Sequence, residues 1–247
     1  MIVVWVVGMA ASNRKVDWSV LVETVHFLPL YASHKAYTRD KILMQKPSIT
    51  AEELVRVLGI PLGEALVLLW ELRKTGEEVI AMLQHGVTGQ HSYTLSALGG
   101  TFSTLHVGHA ALLFTAFNVS EKVVVGITSD RFAATLAKKH AIPPYEERER
   151  NIRNFLSEQG WLDRARLVRL DDPYGPTVED PTIEALVVSP STSHRAVEIN
   201  AKRVERNMKP LEVVVCPLVV AEDGLPVSTT RIMNGEITPE GKVVRKA

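Results

Sequence analysis

The sequence predicts an α/β protein: a doubly wound parallel sheet over residues 93–247, preceded by a small, mainly helical, winged-helix-like domain over residues 1–92. Three observations carry this. From residue 93 onward, short Val- and Leu-rich runs alternate with helix-period segments, the pattern of strands buried on both faces by helices. Before that point, apolar residues recur mainly at helical spacing. At the junction, LGGTFSTLHVGHAALL (residues 98–113) places a Gly-Gly-Thr turn between a strand and a helix, the position at which such sheets bind ligands.

The elements follow in order. MIVVWVVGMAAS is apolar for 11 residues and then turns polar. No basic segment precedes it and it is too short to span a bilayer, so a buried strand or a leader is expected rather than a membrane anchor. SVLVETVHFLPLYA (residues 19–32) has helical periodicity. A second helix starts at Thr50, where Thr50 and Glu53 form a capping box. A third, LGEALVLLWELRKTG, is expected to end at Gly76. EEVIAMLQHG and QHSYTL read as two strands joined through Gly86 and Gly89. Three helices and a hairpin make the winged-helix-like pattern. Residues 1–92 carry 9 basic and 9 acidic residues, and the helix in the recognition position is apolar throughout Ala65–Trp70, which suits protein contacts better than a wet groove. No nucleic-acid partner is expected; the segment fits a packing role or a homo-oligomer contact.

In the second part, YTLSALGG is a strand, HVGHAALLFTAFNVS a helix and KVVVGIT a buried strand, followed by a helix over Asp130–Lys139. PYEERERNIRNFLSEQG is a long amphipathic helix. RLVRL, EALVVS and LEVVVCP are strands, with the helix TSHRAVEINAKRVERN between the last two. The whole chain carries 28 basic and 28 acidic residues, so bulk charge calls for neither nucleic acid nor an anionic membrane. Its one cysteine, Cys216, excludes an internal disulfide and a Cys-based metal site and reads as a buried hydrophobe. A cytoplasmic protein without a membrane partner is expected.

The chemistry concentrates in residues 98–113. Gly99 and Gly100 let the backbone turn tightly at the carboxyl edge. The helix that follows offers a positive dipole end and N–H groups for a phosphate. His106 and His109, three apart, share one side of that helix, and Gly108 leaves room for a base or phosphates against the backbone. Each imidazole can donate to a phosphate oxygen. HxxH also raises zinc, but no third ligand of suitable spacing is evident.

GGTFSTLHVGH resembles the HxGH motif of the nucleotidyltransferases that share a Rossmann-like fold with class I aminoacyl-tRNA synthetases. A second motif of that superfamily, a Ser/Thr-rich turn ending in arginine, is matched by Ser228, Thr229, Thr230 and Arg231 in VSTTRI. The run LGGTF, LHVGH, GITSD, YEERER, DDPYGP, VVSPST, EIN, AEDGLPVSTTRI and NGEI resembles the archaeal type of phosphopantetheine adenylyltransferase over about residues 93–241. The family usually has Asp where Ser103 stands. The resemblance implies adenylyl transfer from ATP to 4'-phosphopantetheine, giving dephospho-coenzyme A and pyrophosphate. Other superfamily activities, on nicotinamide mononucleotide or with CTP and glycerol phosphate, are the alternatives, and a winged-helix regulator with a nucleotide-sensing domain is a rival of another class.

It further implies roles. Thr101 would orient the attacking phosphate. His106 and His109 would hold the ATP phosphates, while Ser228–Arg231 would hold the pyrophosphate. Magnesium would be bound through ATP oxygens. Lys138 or Lys139 would reach the transferred phosphate, unless they form a solvated helix end. Arg148 could reach phosphates, though Glu-Arg alternation more often marks a solvated face. Asp172 and Tyr174 lie in a turn-rich loop that could contact pantetheine or nucleotide. Ser189, with Ser191 and Thr192, ends a strand and caps a helix, with nucleotide contact added by the resemblance.

Overall fold

The structure is a computed structural model that describes residues 18–89, 91–136 and 141–244. Met1–Ser12, for which a strand or leader is expected, lies outside the described residues. The chain divides into two compact units, Met1–Arg73 and Lys74–Ala247.

The first unit is helical: α1 (Trp18–His26), α2 (Tyr31–Tyr37), α3 (Ala51–Leu58) and α4 (Leu62–Leu72). The single helix expected over residues 19–32 is two helices. The break falls around Pro29, whose ring restricts the residue before it and removes a donor. α3 opens on the predicted capping box between Thr50 and Glu53 and stops at Gly59, whose φ of 66° is a left-handed value that suits glycine. α1, α2 and α3 all contact α4. Ala65, Val67, Leu68 and Leu69 of α4 are buried, whereas Trp70 is 40% exposed.

Two expectations fail next. α4 ends at Leu72, and Gly76 begins a helix instead of ending one. EEVIAMLQHG is not a strand but most of α5 (Gly76–His85). Its start is a second capping box: the Glu78 amide donates to the Thr75 hydroxyl, and the Thr75 amide donates to the Glu78 carboxylate. The expected wing hairpin is therefore not formed. α5 also packs with the second unit: Val79 and Ile80 lie against Val107, Ala110 and Ala111. That is why this unit starts at Lys74, ahead of the boundary expected at residue 92. Gly76 has a packing reason too, since a Cβ there would sit 1.8 Å from the Glu240 carbonyl oxygen.

The second unit contains, in order, β1 (Tyr93–Gly100), α6 (Val107–Val119), β2 (Ser120–Thr128), α7 (Asp130–Thr135), α8 (Tyr145–Glu158), β3 (Ala165–Leu170), β4 (Ala185–Val188), α9 (His194–Glu205), β5 (Glu212–Val215) and α10 (Thr229–Met233). The five-stranded sheet runs β3-β2-β1-β4-β5 and is parallel throughout. Strand alternation serves two faces. Leu98, Val125, Ile127 and Val187 pack with Phe114 and Phe117 of α6 and Ile152 and Leu156 of α8. Ala97, Val124, Leu186 and Val188 pack with Ala196 and Ile199 of α9. Cys216 is buried in the first of these cores, where burial pushes its thiol up to about 12.

The chain leaves β1 for β2 on one side and later returns to β4 on the other. That reversal opens a crevice beyond the carboxyl ends of β1 and β4, the place where open α/β sheets bind ligands. Among the described residues, no helix is long and apolar enough to cross a membrane.

Candidate active site

At the carboxyl end of β1 the chain makes a tight fold. Phe102 adopts a left-handed φ of 53° and is fully buried, an unusual backbone for a bulky residue and a mark of imposed geometry. Its ring folds back on Gly100, where a Cβ would lie 2.9 Å from Cζ of that ring. This is what the second glycine of the Gly-Gly-Thr turn permits. The Phe102 ring also supports His109, at 5.0 Å between centroids. No local sequence pattern marks Phe102.

His106 is the N-cap of α6, and its Nδ1 accepts from the Gly108 amide at 3.1 Å. Burial pushes its pKa down from 6.5 to about 4, so the ring is neutral near pH 7. With Nδ1 accepting, the ring proton sits on Nε2, which becomes a donor. His109 stacks on this ring at 3.9 Å between centroids. Two predicted details need correction. The space over Gly108 is filled by the His106 ring, since a Cβ there would lie 2.9 Å from its Cε1; no open shelf for a base exists. The first amides of α6 are also engaged: Val107 donates to the Pro239 carbonyl, Gly108 to His106 Nδ1 and His109 to the His106 carbonyl. These amides of the helix start are therefore taken up within the protein.

The protonation state is testable. The folded pKa of His106 lies below its unfolded value, so between them the unfolded chain takes up a proton that the folded chain refuses. The stability contributed by the neutral ring is complete above pH 6.5 and is lost as the pH falls toward 4. Imidazole NMR should show His106 neutral at pH 6 and titrating near 4; a midpoint near 6.5 would contradict the assignment.

The Ser/Thr turn reaches the same place. Val227 lies in one core with Val107, Ala110 and Ala111 at the start of α6, and the Thr104 hydroxyl faces the Met233 sulfur at 3.9 Å. Ser228 caps α10 by accepting from the Arg231 amide. Arg231 itself bonds Asp223, donates to Glu236 at 3.0 Å, and reaches the carbonyls of Leu225 and Pro226 at 3.3 and 3.1 Å. Its guanidinium thus ties the AEDGLP loop to α10. Ser189, at the end of β4, shares hydroxyl bonds with Ser191 at 3.0 Å and Thr192 at 2.9 Å, and its amide bonds Thr192, as capping predicts.

The remaining predicted residues divide. Lys138 and Lys139 lie outside the described residues. Asp172 accepts from the amides of Tyr174 and Gly175 at 2.8 and 2.7 Å, so its carboxylate shapes the loop. Tyr174 lies under Lys202 of the last turn of α9, whose ammonium is 4.7 Å from the ring centroid. The ring packs against the core of Ala97, Val124, Leu186 and Ile199.

Arg148 needs the largest correction. It is neither a solvated residue nor placed for phosphate, being fully buried. Nε donates to the Pro143 carbonyl at 2.8 Å, and Nη1 donates to the carbonyls of Thr101 at 2.9 Å and Thr128 at 2.7 Å. Nη2 pairs with Asp130 at 2.8 Å, which holds that carboxyl below its ordinary range. One guanidinium therefore binds the carboxyl ends of β1 and β2 and the starts of α7 and α8. A signal was present: Tyr145, Arg148, Ile152 and Leu156 fall on one helical stripe, and all four are buried.

The cytidylyltransferase-like family model matches residues 97–235, which span both motifs of the site. The phosphopantetheine adenylyltransferase of Methanothermobacter thermautotrophicus is 44% identical over 157 residues, covering 64% of this chain and 93% of that protein. The enzyme of the same name from Methanopyrus kandleri is 44% identical over 140 residues, covering 57% of this chain and 88% of its own length. That of Methanosarcina mazei is 40% identical over 154 residues, covering 61% and 97%. The chain belongs to the archaeal phosphopantetheine adenylyltransferase family. Within this family frame, the second unit described above holds every residue of the candidate site: the histidine pair, Thr101 and the Ser228–Arg231 turn.

Proposed function

We infer that the chain transfers the adenylyl group of ATP to 4'-phosphopantetheine, forming dephospho-coenzyme A and pyrophosphate. The observation that carries this reading is the convergence of the stacked His106–His109 pair with the Ser228–Thr230 turn at the crevice of a β3-β2-β1-β4-β5 sheet. The phosphate of the acceptor is already an anionic nucleophile, so no covalent enzyme intermediate is needed. Its oxygen attacks the α-phosphorus in line, a new P–O bond forms, and the bond from the α-phosphorus to the bridging oxygen breaks to release pyrophosphate. Positioning and charge stabilisation then supply the catalysis. Thr101 orients the attacking phosphate. The Nε2–H of His106 and the His109 ring donate to the α-phosphoryl oxygens as charge grows on them. The hydroxyls of Ser228, Thr229 and Thr230 hold the departing pyrophosphate, and Arg231 fixes that turn while adding positive charge. Magnesium enters with ATP as the MgATP substrate, and the reaction belongs in the cytoplasm.

The test is a substrate panel. Purified protein with MgATP and phosphopantetheine should yield dephospho-coenzyme A and pyrophosphate. Turnover of nicotinamide mononucleotide, or of CTP with glycerol phosphate, in place of these would overturn the reading.

For the first unit, balanced charge and the missing wing argue against DNA recognition. Full-length protein should show no salt-sensitive retardation of duplex DNA. Nanomolar, sequence-dependent binding would return the regulator reading to consideration.

A further inference from the structure

The reaction brings two polyanions together, so its cations matter. Arg148 has its donors on carbonyls and Asp130, and Arg231 lies against Asp223 and Glu236. Arg169 differs from both. It is the penultimate residue of β3, opposite Ile127 of β2, at the carboxyl edge. Alternation puts it on the same face as Ala165 and Leu167, which pack toward the core beneath α6 and α8. Its guanidinium carbon stands 5.0 Å from the centroid of the Tyr145 ring. The side chain is exposed; its charge helps hold the Asp130 carboxyl below its ordinary range, but no described residue lies within hydrogen-bond or ion-pair distance of it. A guanidinium resting on an aromatic ring uses its face there and keeps its in-plane N–H groups available, an arrangement suited to a phosphate.

The same Tyr145 ring lies 5.9 Å from Arg148, which holds the Thr101 carbonyl. Arg169 is thus linked through one ring to the residue that sets Thr101. It stands on the β2–β3 side of β1, whereas the Ser189 turn follows β4 on the other side. An anion held by Arg169 would approach the crevice from the side opposite that turn.

We propose that Arg169 binds the phosphate of the acceptor and selects phosphopantetheine over unphosphorylated pantetheine. This rests on the adenylyl-transfer reading given above. A hydrogen-bonded charge pair typically contributes enough to change affinity by about 10–100-fold. Arg169→Ala should therefore raise KM for phosphopantetheine by about that factor and lower kcat/KM for it at least as much, with KM for MgATP within about threefold of wild type. Arg169→Lys should fall between, because an ammonium lacks the planar fork. Calorimetric titration of each full-length protein with phosphopantetheine and with pantetheine gives a second readout. The wild-type preference for the phosphorylated form should largely disappear in Arg169→Ala. Wild-type preference retained in the variant overturns the inference alone, as does an equal rise in both KM values. Wild-type protein that binds neither compound overturns the functional reading and this inference with it.

Discussion

His109→Ala should lower kcat by ~10²–10³-fold, the usual consequence of deleting one preorganised donor to a developing oxyanion. His109 is confined between the His106 ring at 3.9 Å and the Phe102 ring at 5.0 Å, on the first turn of a helix whose opening amides are already bonded. Little reorganisation is left to do when charge appears on the α-phosphoryl group. Since the His106 ring is neutral near pH 7, its contribution is a directed dipole and not a full charge, so the two rings act as a pair and their deletions should not add. The measurement is kcat for His106→Ala, His109→Ala and the double variant, with thermal melts to confirm folding. Near-wild-type turnover by a folded His109→Ala protein would leave the ring as an element of packing only.

The site was legible in the sequence to the extent that it is local. Gly-Gly-Thr, HxGH and the Ser/Thr turn each lie within a few residues, and the alternation of apolar strands with helices set their order on the sheet edge. What was not legible depends on contacts across the chain. The Val107 amide meets the Pro239 carbonyl from more than a hundred residues away, and no local pattern announces that the helix start is thereby filled. The contact of the Tyr174 ring with Lys202 of α9 likewise joins residues far apart in the chain. The α5 error was of another kind. Thr75 and Glu78 spell the same capping box that places α3, but Gly76 inside it is a residue type that more often ends a helix. At Arg148 the Glu-Arg alternation points to solvent, whereas the helical stripe of Tyr145, Arg148, Ile152 and Leu156 points to the core, and the stripe prevails.

Arg148→Met should therefore have the largest combined effect on the molecule. A methionine fills much of the volume but offers no donors. The carbonyls of Thr101, Thr128 and Pro143 lose a partner together, and Asp130 loses its counter-charge. Breaking a buried charged network by removing one member costs ~3–5 kcal/mol, which for a domain of this size lowers Tm by roughly 10 °C. Catalysis should suffer separately. The carboxyl ends of β1 and β2 are held in register at Gly99–Gly126 and Gly100–Ile127, and beyond them the guanidinium bridges the Thr101 and Thr128 carbonyls. Misplacing a positioning group by about an ångström can cost ~10²-fold in rate. The decisive measurement is kcat per folded molecule, taken well below the lowered melting temperature. A drop of that order in fully folded Arg148→Met protein identifies a residue that positions Thr101. Unchanged kcat with a lowered Tm would confine Arg148 to stability. Arg148→Lys should restore the charge opposite Asp130 but not kcat, because a single ammonium on a flexible stem cannot reach the Pro143, Thr101 and Thr128 carbonyls with the geometry of the fork.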